Sequence, residues 1–342
     1  MDDSFPQADS GQPPSSQTPE PQDLSLQTRT LQPRHLQLLR EIAARGTLTA
    51  VAQALHRTPS ALSQQLRTAE RELGVKLVEP DSRGVRLTPA GQLLAEGADE
   101  VFSSLARVQA RLDAATGEPR GEVSIGTLPS GGQVLLPQLL HRLRGTAITL
   151  SLDDFDIAEA DFAARALDAD LVISHSLSGE VPGGAEGLVA TVLTREPIDV
   201  VLPADHPLAA KTELRPRDVV DEDWVGVPEG YPFDAIPVAI EQLTGRPVHR
   251  TLRLRDNHLL ESLVGAGAGI GLLPRFSTRP GPAVVLRPLT GVRAARSIVA
   301  LSRPDRHERL AVRTVTEHLV SIGAELMAEH PAASPPAHRR LT

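Results

Sequence analysis

No cysteine occurs among the 342 residues, so disulfides, thiolate-held metals and cysteine nucleophiles are excluded. No apolar run approaches the roughly 20 residues of a membrane span, and no charged-then-apolar leader precedes a cleavage site. A soluble, cytoplasmic chain without membrane partners is expected. Lysine is nearly missing too: of 35 basic residues only Lys76 and Lys211 are not arginine, which fits a GC-rich genome better than a function. P-loop, G-x-S-x-G and H-E-x-x-H patterns are absent. The 11 histidines lack metal-ligand spacing, and acid pairs such as Asp153-Asp154 read as solvated loop charges rather than a catalytic dyad. The glycine run Gly265–Gly271 fails as a dinucleotide fingerprint, because there a helix precedes a strand; close helix-to-strand packing accounts for it. No catalytic residue, metal or cofactor is therefore expected.

An excess of positive charge is also lacking overall, at −8 net, but its distribution matters more than its sum. Residues 1–28 hold five acids and no base, and residues 29–91 hold ten bases against five acids. The one basic segment contains GTLTAVAQALHRTPSALSQQLRTAEREL, residues 46–73, read as two helices joined by a tight turn. Thr47 or Thr49 can cap the first, and Thr58-Pro59 opens the second as cap and first-turn proline. Leu62, Leu66, Ala69 and Leu73 then share one buried face. The opposite edge presents Ser60, Ser63, Gln64 and Arg67, small or hydrogen-bonding groups suited to base edges in a major groove. An ordinary helical hairpin would carry the same pattern, so its neighbours decide.

Before it, a helix from Pro33 carries Leu36, Leu39, Ile42 and Ala43 and is closed by Gly46. After it, extended runs at 76–79 and 85–87 flank a Pro-Asp-Ser-Arg-Gly turn, a two-stranded wing with Arg83 at its tip and Arg86 nearby. Thr88-Pro89 caps a long helix to about Ala115, in which Leu94, Ala98, Val101, Leu105, Val108, Leu112 and Ala115 alternate at spacings of four and three. Such a seam wants a partner helix, so a homodimer is expected. Thr116 to Gly121 breaks the helix as a hinge. Beyond it strand-like and helix-like runs alternate in the rhythm of a parallel α/β sheet, including a helix at 157–167.

ALHRTPSALSQQLRTAERELGVKLVEP followed by GVRLTPAG closely resembles the N-terminal winged helix-turn-helix of LysR-type transcriptional regulators. LTREPIDVVLPADHPLA and LVGAGAGIGLLPR are similar to segments of that family's effector domain, so the resemblance covers residues 31–328. It implies an N-terminal all-α winged helix-turn-helix joined to a two-lobed α/β domain similar to type 2 periplasmic binding proteins. The expected organisation is a disordered tail at 1–29, a DNA-binding domain at 30–88, a linker coiled-coil helix at 89–117, an effector domain at 121–328 and a flexible tail at 329–342. Carried over, the family's DNA-contacting places fall on Thr58, Pro59, Ser60, Ser63, Gln64, Arg67 and Arg83. The sequence departs from the family at Val78, usually aromatic, and at Pro80, usually arginine, which removes one phosphate contact.

The expected function is a sequence-specific transcriptional regulator controlled by a small-molecule effector between two lobes. The expected partners are promoter DNA, the effector, a second copy of the chain, a tetramer by resemblance, and RNA polymerase. Ligands of open α/β lobes gather where strands end and helices begin. That places Thr127, Leu128, Ser130, His175 and Ser176 of one lobe, and Pro228, Tyr231 and Asn257 of the other, at the candidate effector site. Ser130 ranks first, because a strand-to-helix turn brings both a hydroxyl and a helix dipole. Three alternatives stand beside this reading: an effector-independent regulator, an α/β enzyme with a DNA-binding appendage, and a solute-binding protein for transport. The effector, the operator and the sign of regulation are not legible.

Overall fold

The computed structural model describes residues 30–82, 84–155 and 161–330. The expected tail at 1–29, most of that at 329–342 and the wing-tip Arg83 lie outside the described residues.

Helices α1 (Pro33–Arg45), α2 (Leu48–Ala54) and α3 (Pro59–Leu73) come first, each bounded by the residues that chemistry favours there. Thr47 Oγ1 accepts from the Ala50 N–H and Thr58 Oγ1 from the Ala61 N–H. Gly46 and Gly74 end α1 and α3 in the left-handed region. His56, also left-handed at φ 50°, makes the tight turn between α2 and α3. Leu39, Ile42, Val51, Leu62, Leu66, Ala69 and Leu73 converge in one core, and burying each leucine, isoleucine or valine side chain contributes about 1.5–3 kcal/mol. The wing strands β1 (Val78–Asp81) and β2 (Gly84–Leu87) pair antiparallel.

Helix α4 (Pro89–Thr116) follows, capped by Thr88. Its first turn presses on the chain before the wing so closely that a Cβ at Gly91 would stand 2.1 Å from the Leu77 carbonyl oxygen; no other residue fits. The expected seam divides. Leu94 packs against the core of the DNA-binding domain and Ala98 is fully buried, whereas Val101, Leu105, Val108 and Leu112 face solvent, Leu105 and Val108 at 61% exposure. The first two seam positions are therefore core, because α4 must cover the three-helix bundle before it runs free.

The second part comprises β3 (Arg120–Thr127), α5 (Pro129–Arg142), β4 (Ala147–Asp154), α6 (Phe162–Arg165), β5 (Leu171–Ser176), β6 (Val189–Pro203), α7 (Pro216–Val219), β7 (Asp223–Gly226), α8 (Ala235–Thr244), β8 (His249–Arg253), α9 (Asn257–Gly265), β9 (Ile270–Pro274), β10 (Val284–Pro288), β11 (Ala295–Ser302), α10 (Pro304–His307) and α11 (Leu310–Glu329). Of the helix expected at 157–167, residues 157–160 are not described, and α6 is the helical remainder. Nine strands form one curled sheet, ordered β4-β3-β5-β11-β6-β9-β7-β8 with β10 on β6. The sheet is mixed rather than parallel: β3, β4 and β5 run parallel, as do β7, β8 and β9, but β11 and β6 run antiparallel to their neighbours. Those two are the strands that cross between lobes, and a strand returning from the other lobe must run backwards. Each lobe has its own core, one around Ile125, Leu135, Ile298 and Val315, the other around Val200, Trp224, Ile236 and Ile270. The glycine run sits between α9 and β9: a Cβ at Gly271 would stand 2.8 Å from Leu260 of α9, the expected helix-to-strand packing, whereas one at Gly269 (φ 132°) would meet the carbonyl oxygen of Asp223 on β7 at 2.3 Å.

The two parts also touch through charge. Glu41 of α1 is buried against Arg303, its Oε1 2.8 Å from Nη1, and its Oε2 accepts from Arg45 Nε at 2.9 Å. Arg45 reaches on to Asp168 at 2.7 Å and Arg40 to Asp305 at 3.0 Å. Burial pushes the Glu41 carboxyl up, but the hydrogen bonds and charges of Arg303 and Arg45 outweigh it and hold the group below the usual range.

Candidate DNA-binding surface and effector cavity

The first two turns of α3 are open to solvent. Thr58, Pro59, Ser60, Gln64 and Arg67 are exposed and Ser63 is half-buried. Arg67 Nη1 donates to Ser63 Oγ at 2.9 Å, one helical turn away, and Thr58 Oγ1 lies 3.1 Å from Ser60 Oγ. These groups form one contiguous polar edge at a helix N-terminus, where the dipole is positive and partial charges favour phosphate oxygens. Glu70, just beyond that edge, ties α3 to the wing: its carboxylate accepts from Lys76 Nζ at 2.8 Å and from the Leu77 N–H at 3.0 Å. Burial raises its pKa, but the Lys76 and backbone hydrogen bonds outweigh this and keep it below the usual carboxylate range. Arg86, beside the turn, pairs with Glu79 at 2.6 Å.

Between the lobes lies a cavity of about 320 Å³. Of the sequence candidates it brings together Leu128, Ser130, His175, Tyr231 and Asn257. Three others are not on its wall. Thr127 is buried beneath it, with Oγ1 donating to the Leu128 carbonyl at 3.0 Å. Ser176 Oγ accepts from the Gly179 N–H at 3.1 Å and so belongs to the turn after β5. Pro228 closes a turn in which its carbonyl accepts from the Tyr231 N–H at 3.0 Å. Ser130 does not cap α5, whose N-cap is Leu128 with no side-chain cap; its hydroxyl faces the cavity instead.

The loops near the site read as arginine-poor in sequence, but two arginines line it. Arg255 stacks on the Tyr231 ring, 4.6 Å from the centroid. Arg296, at 1% exposure, stands on β11 directly opposite Glu196 of β6, which is 0% exposed. Its Nε and Nη2 bond Glu196 Oε2 at 2.8 and 2.6 Å, Nη2 also donates to Ser130 Oγ at 2.9 Å, and Nη1 contacts His175 Nδ1 at 3.2 Å. Glu196 Oε1 in turn accepts from the Phe276 N–H at 2.7 Å. A buried ion pair thus sits where both crossing strands pass between lobes, fully hydrogen-bonded as a buried charge must be. Burial first, and then the neighbouring Arg296 cation, push the His175 imidazole down to about 3, so it is neutral at physiological pH. Phe162 lies edge-on to His175 with centroids 5.4 Å apart, and Phe233 is 6.3 Å away. Residues 33–329 contain no helix long and apolar enough to cross a membrane, and no group of three metal-ligating side chains, among the described residues.

Comparison with known proteins agrees with this architecture. The Small neutral protease regulatory protein of Streptomyces coelicolor is 31% identical over 269 residues, covering 74% of this chain and 77% of that protein. A Hydrogen peroxide-inducible genes activator of Pectobacterium carotovorum is 28% identical over 295 residues, covering 84% and 96%. Among solved structures, a full-length OxyR variant from Pseudomonas aeruginosa superposes with a TM-score of 0.59 at 21% identity, covering 86% of this chain and 94% of that one; at that identity it shows the fold. The first two of these are named as a regulatory protein and a gene activator. The family description "Bacterial regulatory helix-turn-helix protein, lysR family" matches residues 33–92 and "LysR substrate binding domain" matches residues 116–323, and the chain accordingly belongs to the LysR family of DNA-binding transcriptional regulators.

Proposed function

We propose that this regulator binds promoter DNA as a cytoplasmic homodimer, assembled further into a tetramer, and that a small molecule held between its lobes controls it. The single observation that carries the DNA reading is the exposed polar edge of α3, bounded by Thr58 and Arg67 on a fully packed bundle. Ser60, Ser63 and Gln64 read base edges, while Thr58, Pro59 and Arg67 set the helix against the backbone, with Arg83 of the wing adding a phosphate or minor-groove contact. The solvent-facing stripe Val101, Leu105, Val108 and Leu112 supports pairing of two α4 helices, and a two-fold pair reads two-fold-related half-sites. RNA polymerase is the partner through which activation would run.

The cavity favours an effector-controlled regulator over an effector-independent one, since buried polar groups are arranged around open space rather than packed shut. An effector shifts the balance between lobe arrangements only by its differential affinity for them. Several relatives are named for hydrogen peroxide-inducible genes; a chain with no cysteine has no thiol for peroxide to oxidise, so a thiol-based response is not proposed for it. Footprinting on the DNA upstream of its own gene, with and without a metabolite library, tests the proposal. Two protected half-sites whose pattern changes with one compound are expected. A monomeric chain with no preference over random DNA would overturn it.

A further inference from the structure

Building on the reading of α3 as the DNA-contacting helix, we propose that the DNA-binding domain is held on the first effector lobe of its own chain by a polar latch centred on Glu41 and Arg303, and that opening this latch frees the direction in which α3 points. Two elements of the DNA-binding part meet the lobe. Helix α1 turns Leu39 and Ile42 into the bundle core and presents Glu41 to Arg303 and Arg45 to Asp168. Helix α4 lies against α10 and α11 of the effector domain, where Arg107 Nη1 pairs with Glu308 Oε1 at 3.3 Å. Ser103 and Ala110, off the exposed stripe of α4, are buried, so the stripe stays available to a second copy while the latch is closed.

The junction is polar and loosely filled. Arg40 bridges Asp99 of α4 at 3.4 Å and Asp305 of the lobe at 3.0 Å, its guanidinium 4.6 Å from the centroid of the Phe102 ring. Between α1, α4 and the lobe a cavity of about 280 Å³ remains, lined by Ala43, Ala44 and Ala95 on one side and Leu167, Leu188 and Arg303 on the other. Among the described residues no apolar cluster spans the junction: the bundle core and the lobe cores are separate. Parting the two surfaces leaves each core whole and returns to water a pair of charges whose burial cost offsets much of their attraction, as a joint that opens reversibly requires. The latch also stands next to the sensor. Arg303 directly follows β11, and Arg296 of the same strand lines the effector cavity. The two are seven residues apart, roughly 23 Å of extended chain, and β11 is paired on both sides, with β5 and β6. One strand therefore joins the cavity wall to the latch with no loop between them.

A chain without cysteine accepts a pair of spin labels cleanly. Gln53→Cys on α2 and Ala164→Cys on α6, both exposed, report the distance between the DNA-binding domain and the first lobe by pulsed electron resonance, with labelled full-length chain diluted into unlabelled protein. One narrow distance distribution is expected, and it should broaden in Glu41→Gln, checked for folding by circular dichroism; if that variant does not fold, Asp305→Asn takes its place. A broad distribution in the parent chain, or one unchanged in the folded variant, overturns the latch. On the DNA upstream of its own gene, two base pairs inserted between the protected half-sites rotate one against the other by roughly 70°. The parent chain should then lose about tenfold or more in affinity and the latch variant less than about threefold. Equal losses overturn the control of α3 by the latch. The spin distances involve no DNA, so a chain that binds no fragment would overturn the reading of α3, while the latch itself is decided by the distances.

Discussion

Lowering the pH tests whether His175 is held neutral in the folded protein. Its imidazole is held near 3 in the folded protein by burial and by Arg296, against about 6.5 in the unfolded chain. The unfolded state therefore takes up a proton that the folded state refuses. The stability owed to the neutral ring is complete above pH 6.5 and is lost as the pH falls towards 3, because protonation pulls the equilibrium to the unfolded side. At pH 5, 1.5 units below the unfolded pKa, the loss is about 2 kcal/mol, and it approaches about 5 kcal/mol near pH 3. His175→Gln keeps a side chain that can accept from Arg296 but does not titrate. Urea unfolding followed by the single tryptophan, the fully buried Trp224, measures both proteins at pH 7 and pH 5. Burial also lowers His35 and His307, but these occur in both proteins and cancel in the difference. Wild type should lose about 2 kcal/mol more than the variant between the two pH values. Equal losses would refute the neutral histidine buried against Arg296.

Three further outcomes follow from the geometry. Leu105→Asp together with Val108→Asp places charge on the exposed stripe of α4 and should convert the assembly to monomers in sedimentation, leaving the far-ultraviolet circular dichroism unchanged. Arg83→Ala should weaken binding to all DNA sequences and lower the slope of log K against log salt by about 0.9, whereas Gln64→Ala changes sequence preference; an unchanged slope removes Arg83 from the interface. Glu41→Ala leaves Arg303 buried without its carboxylate and should cost about 3–5 kcal/mol, splitting one calorimetric transition into separate melting of the DNA-binding and effector domains. A single transition at an unchanged Tm would show the contact carries no weight.

Local chemistry made the DNA-binding part legible. Thr58-Pro59 can begin a helix but not continue one, Gly46 and Gly74 end one without strain, and the spacing from Leu62 to Leu73 leaves one buried face. The same logic misled at Leu94 and Ala98, since a heptad pattern does not say whether its partner is another chain or the domain beneath. Strand-helix alternation gave both lobes but not strand direction, because a period of two is blind to it; hence the antiparallel crossings of β6 and β11 were missed. Arg296 escaped for a similar reason. It lies inside the strand ARSIVALS and owes its role to Glu196, 100 residues away, and to Ser130, 166 residues away. A lone charge amid apolar strand residues was the available signal. Ser176 and Pro228 were placed at the site because they stand near strand ends, but turn hydrogen bonding claims them.

Both lobes hang on strands that never leave the sheet. β6 is paired at every residue but Leu193, first with β11 and then with β9 and β10, the register slipping by one residue at that position. A joint made this way behaves as a leaf spring and not as a free hinge: flexing it strains hydrogen bonds that pull it straight again. Such a sensor would return to its resting shape whenever its ligand departs, with no second signal to erase the first.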